Sequence, residues 1–108
     1  MAKKKSNFKK GFRKNKRIKH PTYLIDENGR MYQYIGITHS SKTGDSKNIP
    51  LKQNPNPKDN RRAYIRPVVD EDKPENFSRR MKDWRFSVED RETVKQIIDD
   101  YKKKKPRK

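Results

Sequence analysis

The sequence predicts a mainly β protein: a small antiparallel, barrel-like domain with one C-terminal α-helix, flanked by two basic tails expected to be disordered when free. Three observations predict it. Charge is segregated: residues 1–20 hold ten Lys or Arg and no acid, residues 102–108 hold six and no acid, and residues 21–101 hold fifteen against all 14 acids. Asn28-Gly29 separates two runs rich in Tyr and Ile, a strong hairpin signal. Val94, Ile97, Ile98 and Tyr101 recur at helical spacing behind a serine suited to cap a helix.

A chain of 108 residues supports one domain, and with 27% hydrophobic against 42% charged residues it has no material for a large core. Like-charge blocks repel themselves and bury nothing, so residues 1–19 and 102–108 read as arms around a folding unit at 20–101. The first strand of that unit runs over Thr22–Asp26. A two-residue type I′ loop at Asn28-Gly29 would set Glu27 opposite Arg30, Ile25 opposite Tyr32 and Tyr23 opposite Tyr34. Met31 to Thr38 is the partner strand. Both faces of this hairpin are partly apolar, which suits a curled sheet better than a flat one.

Residues 40–47 read as a polar loop. Asn48-Ile49-Pro50-Leu51 reads as a short edge strand, because Pro50 cannot donate to a ladder. Asn54-Pro55-Asn56-Pro57 is a turn-forming linker. Arg62 to Val69 is another expected strand, and the acidic residues 70–76 an expected loop. Phe77, Met81 and Trp84 have the spacing of one extra helical turn. The terminal helix is expected at about 88–103. Ser87 is its N-cap, Asp90 stands at the capping-box position, Lys102 to Lys105 favour the negative end of the dipole, and Pro106 stops it. Trp84 and Phe86, just before the cap, are placed to anchor the helix on the sheet.

The formal net charge of +17 points to a polyanionic partner, RNA or DNA, since solubility alone needs a net charge of only about 2–8 in a small domain. The candidate phosphate contacts are Lys3, Lys4, Lys5, Lys9, Lys10, Arg13, Lys14, Lys16, Arg17 and Lys19 in the first arm, Lys42 in the polar loop, and Lys102, Lys103, Lys104, Lys105 and Arg107 at the C-terminal end. The aromatics of the first arm, Phe8 and Phe12 with Ile18, are too sparse for an amphipathic lipid helix, and no membrane partner is expected. There is no cysteine, so disulfides and thiolate metal sites are excluded. Two histidines without a tight carboxylate cluster make no metal site, the four glycines form no phosphate-cradling loop, and no cofactor is expected. The N-terminus lacks the apolar segment of a signal peptide and no apolar run reaches membrane-spanning length, so a cytoplasmic location is expected.

The residues with chemistry to offer gather at the hairpin ends: His20, Thr38 and His39. RNA is cleaved without metal when a base takes the 2′-hydroxyl proton, an acid protonates the leaving 5′-oxygen, and a donor stabilises the phosphorane. Histidine serves both transfers because its ordinary pKa is near neutral, and a threonine hydroxyl donates to phosphate oxygen. The expected register puts His20 opposite Ile37, beside Thr38. Strict alternation sends Thr38 and His39 to opposite faces unless a bulge at Gly36 turns the chain.

The order His20-Pro21-Thr22-Tyr23-Leu24-Ile25, then Ile35-Gly36-Ile37-Thr38-His39-Ser40, then Ile49-Pro50-Leu51, then Trp84-Arg85-Phe86-Ser87 before a terminal helix resembles the MazF/PemK-like toxins. These are small SH3-like barrels that cut RNA in toxin–antitoxin systems. The resemblance spans roughly residues 20–100. It implies an SH3-like barrel, a metal-independent endoribonuclease, an acidic antitoxin-like protein as partner, and a homodimer. Thr38 matches the family threonine, His20 falls where the family has a catalytic arginine, and a basic arm stands where the family has its first strand. The other readings of the same charge are a non-catalytic nucleic-acid-binding accessory protein of a mobile element, and a cationic inhibitor of a nucleic-acid-binding protein.

Overall fold

The computed structural model describes residues 10–104. The chain is mainly β with one C-terminal helix. In order come β1 (Gly11–Asn15), β2 (His20–Asn28), β3 (Met31–Thr38), β4 (Lys42–Thr43), β5 (Ser46–Lys47), β6 (Ile49–Pro50), β7 (Tyr64–Ile65), β8 (Asp70–Asp72), a 3-10 turn (Pro74–Asn76) and α1 (Val88–Lys104). The main sheet is open and antiparallel, with order β1-β2-β3-β7-β6, and β8 also pairs with β3. β7 takes the end of β3 and β8 its beginning, so β3 is the hub of the fold. β4 and β5 form a separate small hairpin.

Residues 11–15 are a strand, which corrects the expected arm over 1–19. The averaged charge of residues 1–20 hid a buried residue: Phe12 is 4% exposed, with its ring 5.0 Å from Tyr23, 4.7 Å from Phe86 and 5.7 Å from Trp84. Burying one aromatic ring contributes on the order of 2–3 kcal/mol, enough to bring its cationic neighbours onto a strand. The turn that follows is built by Asn15, which is fully buried. Its Oδ1 accepts from the backbone N–H of Arg17 and Ile18, and its carbonyl accepts from Lys19, which takes a positive φ of 61°.

The β2–β3 register also differs from expectation. Asn28 pairs with Met31, so Gly29-Arg30 is the loop, and Gly29 takes the positive φ (63°). Asn28 stays in the strand, where its Nδ2 donates to Glu71. A bulge lies between Leu24 and Asp26, not at Gly36, and beyond it Leu24 faces Tyr34 and Tyr23 faces Ile35. A one-residue shift exchanges the faces of a strand. Tyr23, Ile25, Ile35 and Ile37 therefore join Phe12, Leu51, Ile65, Phe86, Val94 and Ile97 in the main core. Leu24, Tyr34 and Phe77 form a smaller core on the other side, with Tyr32 and Ile18 against it.

Residues 70–72, expected in a loop, form a strand because each acidic side chain that matters there finds donors. Glu71 accepts from Asn28 and Gln33. Asp72 accepts from Asn15 Nδ2 (3.0 Å), Arg17 Nε (2.7 Å), Asn76 Nδ2 (2.7 Å) and the backbone N–H of Lys73 (2.8 Å). Burial pushes the Asp72 carboxyl up, but these hydrogen bonds together hold it well below the usual carboxylate range. Over 77–80 the expected helical turn is absent, and only a single turn closes at 81–84, where the Trp84 N–H donates to the Met81 carbonyl. Before that turn Lys16 N–H donates to Asn76, Ser78 N–H to Lys14 and Met81 N–H to Phe12, so this segment lies extended along β1.

The helix begins as its sequence signature says. Ser87 Oγ accepts from the Asp90 N–H (3.1 Å). The Asp90 carboxylate, 2% exposed, turns away from the helix and accepts from the backbone N–H of Lys52 (2.9 Å) and Gln53 (3.1 Å). It thereby ties α1 to the start of the 52–62 segment, which walls the site described next. At the other end, the Tyr101 hydroxyl accepts from Gln33 Nε2. No helix among the described residues is long and apolar enough to cross a membrane.

Candidate active site

The start of β2, the end of β3 and the 54–63 segment meet around a cavity of about 280 Å³. His20, Thr38 and His39 all line it. Lys14, from β1, and Lys19, from the β1–β2 turn, supply positive charge at its edge; Arg61 and Asp59 enter from the Pro-rich segment, and Trp84 and Met81 close one side. The three residues that the sequence placed at one end of the hairpin therefore share one cavity, without the bulge at Gly36 that this seemed to require. His39 is already past the end of β3, where alternation no longer governs direction.

His39 is the best-positioned of the three. Its Nε2 lies 3.1 Å from Asp59 Oδ2. Asp59 is itself clamped by Arg61, whose Nε and Nη2 donate to its two oxygens at 3.0 and 2.9 Å while the Arg61 backbone N–H donates to Oδ1. The Arg61 side chain foremost, then its backbone N–H, hold the Asp59 carboxyl well below the usual carboxylate range. An ionised Asp59, which only accepts hydrogen bonds, favours the tautomer of neutral His39 that carries its hydrogen on Nε2, which leaves the Nδ1 lone pair free. The His39 side chain is 47% exposed and open to a substrate.

Thr38 Oγ1 accepts from the Ser40 backbone N–H (3.1 Å), so its hydroxyl hydrogen remains available to an oxygen in the cavity. His20 is exposed at the first position of β2. Asp59 and Arg61 escaped the sequence reading. The signal existed, an Asp-x-Arg pair just after two Asn-Pro steps, but nothing in the linear order ties residue 59 to residue 39.

The remaining sequence-predicted cations are dispersed. Arg17 is committed to Asp72, and Arg13 Nη1 donates to the Ser78 carbonyl. Lys10 and Lys16 are exposed outside the cavity. Lys42 stands on the β4–β5 hairpin, and Lys102, Lys103 and Lys104 end α1; none of these lines the cavity. Lys3, Lys4, Lys5, Lys9, Lys105 and Arg107 lie outside the described residues. Among the described residues no group of three or more His, Cys, Asp or Glu is arranged to hold a metal ion.

A second concavity, of about 650 Å³, lies on the other side of the same segment and shares Asn54, Asn56, Asp59, Arg61 and Ala63 with the first. It contains neither histidine.

No protein-family model matches the chain, and no curated protein and no solved structure is detectably similar to it.

Proposed function

We propose that this protein binds RNA and cleaves it without a metal ion, in the manner of the MazF/PemK-like toxins. The observation that carries the reading is the convergence of two histidines, a threonine hydroxyl and several cations on one cavity, with His39 held by an ionised Asp59. His39 acts as the base that takes the 2′-hydroxyl proton. The 2′-oxygen attacks the adjacent phosphorus while His20 protonates the departing 5′-oxygen. Thr38 donates to a phosphoryl oxygen, and Lys14, Lys19 and the free Nη1 of Arg61 offset the developing charge. The basic ends add sequence-independent grip by displacing counterions. The same reading takes the sheet as an SH3-like barrel. β8 on β3 and the extended 76–81 segment on β1 belong to one continuous stretch, which draws the two sides of the β1-β2-β3 strip together.

The test is incubation of labelled single-stranded RNA with the purified protein at neutral pH with chelator present. Cleavage by the wild type, reduced by about 10²–10⁴-fold in His39→Ala and in His20→Ala with RNA affinity retained, is the expected result. RNA that is bound and left intact by the wild type would replace cleavage by the accessory-protein reading.

A further inference from the structure

Behind Trp84, away from the histidines, lies a separate cavity of about 410 Å³. Lys10, Arg80, Lys82, Arg85 and Arg91 line it together with the rings of Tyr23 and Trp84. All five cations are exposed, and none pairs with a carboxylate among the described residues. No acidic side chain lines the cavity. This contrasts with Arg17, Arg61 and Arg66, which the fold uses in ion pairs. The position of Arg80 is provided for. Gly11 has a φ of 150°, and a Cβ there would come within 2.7 Å of Arg80 Cδ, so the missing side chain lets the arginine stem lie against β1. The rings are braced from below: Phe12 lies 5.7 Å from Trp84, and Phe86 lies 4.9 Å from Tyr23. Trp84 and Met81 also line the histidine cavity, so one indole stands between the two.

We infer that this cavity is a subsite for a nucleotide of single-stranded RNA lying beside the one at the histidines, its base against Trp84 and Tyr23 and its phosphates on Arg85, Arg91, Lys82 and Arg80. Unpaired cations interleaved with aromatic faces suit an unstacked strand, whose bases are free to stack on side chains. A duplex keeps its bases inside and offers only phosphates. The inference rests on the RNA-binding part of the proposed function and not on cleavage.

Trp84 is the single tryptophan of the chain, so its fluorescence reports the subsite directly. The probe is a 2′-O-methyl oligouridylate of about ten nucleotides, inside the roughly 4–16 that single-strand sites span. Methylation removes the attacking hydroxyl, which makes the titration independent of catalysis. The expected result is saturable quenching by the single strand. It weakens about tenfold or more in Arg85→Ala/Arg91→Ala, which loses two phosphate contacts, and is unchanged in Arg30→Ala/Lys47→Ala, which removes two exposed cations that line neither cavity. Equal melting temperatures for both double variants establish that the loss is one of binding. Absent quenching, equal loss in both variants, or equal quenching by a duplex of the same length would each overturn the inference. Quenching by the probe with no cleavage of unmodified RNA leaves the subsite standing and removes the enzyme. Cleavage with no effect of Arg85→Ala/Arg91→Ala on binding or quenching removes the subsite alone.

Discussion

Replacing Asp72 by alanine tests the network that sets the β1–β2 turn, and through it the placement of Lys14 and Lys19 at the candidate site. Asp72 is 5% exposed and receives four hydrogen bonds. Its loss strands Asn15 Nδ2, on a fully buried residue, at about 1–3 kcal/mol for an unsatisfied buried donor. The donor of half-buried Asn76 adds about 1 kcal/mol on the same grounds. Arg17, whose side chain is 56% exposed, finds water instead. The sum is about 2–4 kcal/mol, out of the roughly 5–15 kcal/mol that a folded domain has in total. At about 4–8 °C per kcal/mol for a domain of this size, the melting temperature should fall by roughly 10–30 °C. Asp72→Asn, which keeps one acceptor oxygen, should lose distinctly less. The assay is thermal unfolding followed by circular dichroism. A fall of under about 5 °C for the alanine variant would refute the reasoning, because a buried donor cannot be abandoned so cheaply.

The same carboxylate gives a pH dependence. Its folded-state pKa lies below its unfolded value, so its contribution is complete above the ordinary value near 3.9 and is lost as pH falls through the lowered one; acid unfolding should lose this component in Asp72→Asn. Removing residues 1–9 and 105–108 should leave a folded protein whose RNA affinity depends less steeply on salt, whereas extending the N-terminal deletion to residue 19 removes Phe12 and should unfold it; dispersion of amide resonances separates the two. Ser87→Ala should cost about 1 kcal/mol in denaturant unfolding. Asp90→Ala should cost more, since two backbone N–H groups at Lys52 and Gln53 lose their acceptor along with the helix. In the cleavage assay Asp59→Asn should slow turnover without weakening RNA binding, because it removes the group that orients His39 while leaving the cations in place; equal loss of binding would make Asp59 a structural residue only.

Local chemistry made several elements legible from the chain itself. Ser87 before an apolar stripe has few alternatives to capping a helix, and Pro50 has few alternatives to an edge. His20, Thr38 and His39 were legible as a group because hairpin strands bring their ends together whatever the details of register. What the chain alone did not decide was every pairing that depends on distant residues. Asn28-Gly29 permits two loop frames separated by one residue. The frame is chosen by Asn28 donating to Glu71, and the faces by the bulge at Ile25, which buries that side chain with Phe12 and Ile35. Asp70-Glu71-Asp72 reads as a loop by composition and becomes a strand only because Asn15, Gln33, Asn28 and Arg17 supply donors from β1 to β3 and the turns that join them. The basic stretch at 11–15 reads as an arm until Phe12 finds three aromatic rings from elsewhere in the chain. Asp59 becomes the partner of His39, and Arg61 of Asp59, by the same route. A cap, a proline or a turn acts over a few residues and is written in them, whereas burial and charge pairing depend on which surfaces meet, and only the folded chain sets that.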